Sequence, residues 1–200
     1  MRDFIRAELG KTIAVLDAVR AAPDVAALVE AVARRCIAAL RAGNKILLAG
    51  NGGSAADAQH LAAELVGRLA FERPGLPALA LTADTAALTA IGNDYGFERL
   101  FARQIEAIGR SGDVFVGIST SGRSPNVLAA LRLCRERGIV TVGLTGKSGG
   151  DMAALCDHCL CMPSAETPKI QEGHIVLGHI LFALVEREMF GGGSSLTTAP

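Results

Sequence analysis

The sequence predicts a doubly wound α/β fold, a five-stranded parallel sheet flanked by helices, with two further helices ahead of the first strand. Three observations carry this. Short apolar runs recur from residue 45 onward, each closing on Gly, Ser, Thr or Pro. Segments of helical spacing separate them. The runs are apolar on both faces, as in strands buried between two helical layers.

The elements follow in order. Residues 1–22 space Phe4, Ile5, Leu9, Ile13, Leu16 and Val19 like one face of a helix. Residues 24–42 form a second helix, opened after Pro23 with Asp24 as its N-cap and closed before Gly43. The predicted strands are 45–49, 78–81, 113–118, 140–144 and 158–162, with helices between them. A last helix spans about 168–190, and the tail GGGSSLTTAP (191–200) is expected to fray. Residues 1–43 are thus a helical pair belonging to the same domain as 44–190. The two leading helices exceed a minimal nucleotide-binding unit, and their apolar stripes suit pairing with another subunit.

Composition excludes several function classes. Of the 200 residues half are apolar and the formal net charge is zero, so there is no basic footprint for nucleic acid and no reason to expect a membrane surface. The apolar stretch 175–185 is interrupted by His179 and is too short to cross a bilayer. The charged N-terminal segment lacks a signal-peptide pattern, so a cytoplasmic location is expected. Five cysteines, an odd number, fit reduced thiols. Three of them lie in Cys156-Asp157-His158-Cys159-Leu160-Cys161. That segment alternates like a strand, and no second Cys/His pair completes a zinc knuckle, so it reads as small buried strand residues.

Ligands of such sheets bind outside the carboxyl ends of the strands. Four groups of residues fall there. Gly50-Asn51-Gly52-Gly53-Ser54 is a glycine turn opening a helix, suited to close backbone approach and to an anion. It is not a dinucleotide fingerprint, since no acid ends the second strand. Ser119-Thr120-Ser121-Gly122-Arg123-Ser124-Pro125 puts four hydroxyls at a strand-to-helix turn, with Pro125 at N1 and Ser124 as N-cap. Hydroxyls and free N–H groups together make a phosphate nest. His60 and Glu64, four apart, share a helix face. Gln171 and His179, on the last helix, can lean toward one cleft, whereas His174 lies on another side and reads as buried or interfacial.

Together GNGGSAADAQHLAAE (50–64), IGNDYGF (91–97), GISTSGRSPN (117–126), LTGKSGG (144–150) and IQEGHIVLGH (170–179) resemble the motifs of phosphoheptose isomerases, in matching order along nearly the whole chain. The resemblance implies a sugar-isomerase (SIS) fold and a homotetramer with active sites at subunit contacts. It implies conversion of sedoheptulose 7-phosphate to D-glycero-D-manno-heptose 7-phosphate. It makes His60, Glu64, Gln171 and His179 ligands of one zinc ion per subunit, and Glu64 and His179 the acid/base pair. Asn51, Gly52, Gly53, Ser54, Glu64, Asn93, Asp94, Ser119, Thr120, Ser121, Ser124 and Gln171 would contact substrate. DnaA initiator-associating proteins share the glycine and hydroxyl loops but lack the Glu and second His, both present here. Phosphosugar-sensing regulators usually add a DNA-binding domain, for which this length leaves no room. The DnaA-associating reading is the alternative, together with a SIS isomerase for another phosphosugar.

Overall fold

The computed structural model describes residues 1–191. Two helices lead, α1 (Arg2–Ala21) and α2 (Pro23–Arg41), joined at Ala22. Then come β1 (Ile46–Gly50), α3 (Gly53–Val66), β2 (Ala78–Ala80), α4 (Thr85–Tyr95) and α5 (Leu100–Ile108). The chain continues through β3 (Val114–Ser119), α6 (Pro125–Glu136), β4 (Val140–Thr145) and β5 (His158–Cys161) to α7 (Thr167–Phe190). The five strands form one parallel sheet in the order β2-β1-β3-β4-β5. This is the predicted architecture, with strand ends shifted by at most one residue.

Alternation along each strand splits the core in two. Ile46, Leu48, Val114, Val116 and Ile118 face α2, α3 and α7. Leu47, Ala49 and Phe115 face α5 and α6. Because both faces are covered, no polar alternation appears in these strands. The α2 residues Val32, Cys36 and Ile37 belong to the first of these cores, so the second leading helix packs into the sheet unit itself.

Two expectations need correction, and one lies beyond what the structure describes. Pro23 is the first residue of α2 and Ala22 its N-cap, so Asp24 lies inside the first turn. Proline suits that position because its missing N–H has no partner there in any case. The β4–β5 crossover is no α-helix but a 3-10 turn at Gly150–Met152. Residues 146–157 include three glycines, two of them at positive φ, too few helix formers to build a full helix. Of the tail expected to fray, residues 192–200 lie outside the described residues.

A buried ion pair fixes α3 against α7. Arg73, in the loop after α3, donates from Nε to Glu186 Oε1 at 3.0 Å, and the two side chains are 2% and 1% exposed. Arg73 also donates to the carbonyls of Glu64, Leu65 and Gly67, which end α3. Glu186 in turn accepts from the backbone N–H groups of Leu69 and Ala70. Every charge is therefore met, as a buried pair requires. Glu186→Ala leaves the guanidinium uncompensated. It is expected to lower stability by about 3–5 kcal/mol, read as a fall in the urea midpoint.

Candidate active site

Strand order reverses between β1 and β3: β1 leads outward to β2, and β3 leads the other way to β4 and β5. The loops leaving these two neighbouring strands border one crevice. The first is the glycine turn. Gly52 takes φ +58° and ψ −122°, a conformation open to glycine alone. A Cβ on Gly50 would come 2.7 Å from the Ser54 carbonyl, so only glycine lets the chain fold back into α3 this tightly. The second loop runs from Ser119 to Ser124. Gly122, at φ +65°, turns it so that its N–H meets the Ser119 carbonyl at 3.0 Å. The N-termini of α3 and α6 both open here, a favourable place for an anion.

The two loops are tied together. Asn51 Nδ2 donates to Asn126 Oδ1, and Asn126 Nδ2 donates to Asn51 Oδ1, each at 2.9 Å. Asn126 is fully buried. The Asn51 amide is therefore engaged by the protein. In the hydroxyl loop, Ser119 Oγ lies 2.8 Å from Ser124 Oγ and 3.4 Å from Ser121 Oγ. Ser121 Oγ accepts from the Arg123 N–H. Ser124 occupies the N-cap position with Pro125 after it, but its hydroxyl turns to Ser119 instead of capping the helix. Thr120 and Ser121 border solvent, Ser119 is buried, and Ser54 is buried in the first turn of α3.

The two candidate helix faces meet. His60 Nε2 lies 2.9 Å from His179 Nε2 and 3.3 Å from Glu64 Oε1. One imidazole carries the hydrogen between the rings and the other accepts it. The three side chains offer ligand atoms within 4.8 Å of one another. Nitrogen, nitrogen and carboxylate oxygen are an N/O set that fits a divalent cation such as zinc. The closeness has a cause in the sequence. A Cβ on Gly178 would come 2.7 Å from both δ carbons of Leu61, so glycine beside His179 lets α7 approach α3 where the rings meet.

The remaining predicted residues are placed as follows. The Gln171 amide rests on the glycine turn, where a Cβ on Gly53 would come 2.7 Å from its Nε2. Asn93 and Asp94 are exposed at the end of α4 and bonded to each other at 2.8 Å. His174 is fully buried away from the cluster, its Nε2 3.0 Å from the Thr145 carbonyl. Asp57 went unnoticed in the sequence. It lies one turn before His60, and its Oδ2 is buried without a partner in the protein. Burial raises its pKa, opposed by the nearby His60 and His179. Its spacing from His60, three residues, was the available sign.

Glycine and hydroxyl loops leading into two helix N-termini at the switch point of a parallel sheet, with an imidazole–carboxylate cluster between α3 and α7, are the features of a SIS-class protein. The SIS domain family matches residues 10–146. Phosphoheptose isomerase of Aneurinibacillus thermoaerophilus is 58% identical over 190 residues, covering 95% of this chain and 96% of the relative. Phosphoheptose isomerase 2 of Campylobacter jejuni is 52% identical, covering 98% and 97%. The solved phosphoheptose isomerase of Neisseria gonorrhoeae superposes with a TM-score of 0.86 at 44% identity, covering 92% of this chain and 98% of that one. That of Francisella tularensis gives 0.87 at 35% identity, covering 92% and 97%. The chain belongs to the phosphoheptose isomerase family.

His174 carries a pH consequence. Burial pushes its pKa from the ordinary 6.5 down to about 4, the bond to Thr145 opposing. Below pH 6.5 the unfolded chain takes up a proton that the folded ring refuses. The stability present above that pH is therefore lost as pH falls toward 4, by about 3 kcal/mol across the window. His174→Gln should flatten this slope in urea unfolding measured across the same window.

Proposed function

We propose that the protein interconverts sedoheptulose 7-phosphate and D-glycero-D-manno-heptose 7-phosphate, feeding the heptoses of bacterial surface polysaccharides. The single observation that carries the reading is the convergence of His60, Glu64 and His179, two of them on the helix that the glycine turn opens. The names of the relatives, at up to 58% identity over nearly full length, set the substrate.

The phosphate sits on the hydroxyl loop, held by Ser119, Thr120, Ser121 and Ser124 and by the free N–H groups at the start of α6. Asn51, Gly52, Gly53 and Ser54 line the sugar from the β1 side, with Gln171 behind them. Asn93 and Asp94, exposed at the end of α4, complete the contacts to the chain of hydroxyls. Glu64 takes the proton from C1 of the ketose and returns it to C2. His179 moves the second proton between the oxygens on C1 and C2. A carboxylate and an imidazole suit these two tasks. His60, Glu64 and His179, joined by Gln171, would hold one zinc ion per subunit. Bound there, zinc supplies a Lewis acid for the negative charge that develops on the sugar oxygens.

The exposed setting of His60 fits a site closed by another subunit. So does α1, which leaves Phe4, Ile5, Leu9 and Ile13 each more than half exposed. A homotetramer accounts for both. No helix among the described residues is long and apolar enough to cross a membrane. Small phosphorylated sugars are made and used in the cytoplasm, and that is the location proposed.

Glu64→Gln removes the base and keeps the shape. Turnover should fall about a hundredfold to ten-thousandfold, while phosphosugar still raises the melting temperature. Near-normal turnover in this variant overturns the assignment of the base. Stripping divalent metal with a chelator should abolish conversion followed by NMR, and zinc should restore both the rate and the melting temperature. Full activity of the stripped enzyme overturns the metal's role.

A further inference from the structure

The LTGKSGG segment (144–150) takes no part in the chemistry above. It carries the chain out of β4 into the 3-10 turn at Gly150–Met152, where a parallel crossover ordinarily builds a helix. Glycine fixes its shape, since Gly149 and Gly150 take φ +69° and +54°. A helix would spend its backbone N–H groups on its own carbonyls. This turn spends the N–H groups at its two ends on the neighbouring hydroxyl loop.

The Gly146 N–H donates to the Thr120 carbonyl and the Met152 N–H to the Gly122 carbonyl, each at 3.1 Å. Between them, a Cβ on Gly150 would come 2.6 Å from the Ser121 carbonyl oxygen and 2.7 Å from that of Gly122. A Cβ on Gly122 would collide with the Gly149 carbonyl and come 2.9 Å from the hydroxyl of the buried Thr145. Backbone lies directly on backbone. Three successive carbonyls of the hydroxyl loop, those of Thr120, Ser121 and Gly122, therefore face the turn. Across a trans peptide the following N–H points the opposite way. The N–H groups of Ser121, Gly122 and Arg123 are thus directed away from the turn. Those of Gly122 and Arg123 curl the loop onto the Ser119 carbonyl and the Ser121 hydroxyl.

We propose that the turn 146–152 is the positioning element of the phosphate site. Without contacting substrate, it sets the affinity for the phosphate group by holding the hydroxyl loop in its curled form, and Gly150 is the residue through which the two backbones meet. The inference rests on the reading of that loop as the phosphate seat. It also gives the short crossover a purpose. A helix after β4 would satisfy its own N–H groups and leave the Thr120 and Gly122 carbonyls without these donors.

Binding of sedoheptulose 7-phosphate is measured by calorimetry on full-length protein carrying Glu64→Gln, which is expected to hold the sugar without turning it over. Adding Gly150→Ala should weaken binding about tenfold or more, because a misplacement of about 1 Å is enough for such a loss. In the otherwise native enzyme the change should appear in KM far more than in kcat. Gly138→Ala puts a side chain on another left-handed glycine, φ +68°, in the turn leading into β4 at the far end of the sheet. It should lower the melting temperature and leave binding unchanged; a loss equal to that of Gly150→Ala overturns the proposal. Ser124→Ala removes a hydroxyl of the loop itself and should weaken binding. If Ser124→Ala binds normally, the phosphate reading fails and takes the proposal with it. If Ser124→Ala binds weakly while Gly150→Ala folds and binds normally, the proposal alone fails. Should Gly150→Ala not fold, hydrogen exchange of the Glu64→Gln protein decides: the sugar should slow exchange in 146–152 together with 119–126. Protection confined to 119–126 overturns the proposal.

Discussion

The reciprocal amide pair between Asn51 and Asn126 is the contact on which the site depends. It joins the loops of two strands that lie side by side in the sheet but far apart in sequence, at the point where the winding changes direction. Both amides spend a donor and an acceptor on each other, so neither loop can shift without exposing a buried polar group. With the loops locked, the N-termini of α3 and α6 open on the same crevice. That fixes where the two helix ends together favour an anion.

The reacting groups are held by a different device. His60 and Glu64 come from α3 and His179 from α7, and their meeting depends on how closely the two helices pack. Gly178 against Leu61 sets the spacing beside the rings. Two turns further along α7, Glu186 binds Arg73, which caps the end of α3. One device permits close approach and the other prevents sliding. The two loops and the imidazole–carboxylate cluster are thus set by different contacts, although both rest on α3, which begins at the glycine turn and carries His60 and Glu64.

Much of this was legible in the sequence. The strands could be read because burial on both faces makes them continuous apolar runs, and the loops because glycine and hydroxyl clusters mark their turns. Spacing put His60 and Glu64 on one helix face, and only the family resemblance marked them as site residues. What spacing could not give was contact between distant elements. Nothing around residue 51 announces that Asn51 meets Asn126, and the spacing of Asp57 from His60 does not show that one of its oxygens is buried by its neighbours. Ser124 looked like a simple cap, yet its hydroxyl serves Ser119. The cysteines misled for a related reason: Cys161 is exposed, and Cys156 and Cys159 are only half-buried. The alternation in 158–162 correctly predicted a strand, but alternation does not say whether a helix lies over it, and here only a 3-10 turn does.

The sheet's two outer strands are its shortest. β2 has three residues and β5 has four. An open sheet invites a neighbouring molecule to extend it, and a brief margin offers few backbone groups for doing so. Growth by strand addition is thereby discouraged at either side. Self-association of this protein is left to its helical surfaces, where side chains and not main-chain hydrogen bonds choose the partner, and where assembly can stop at a closed number of copies.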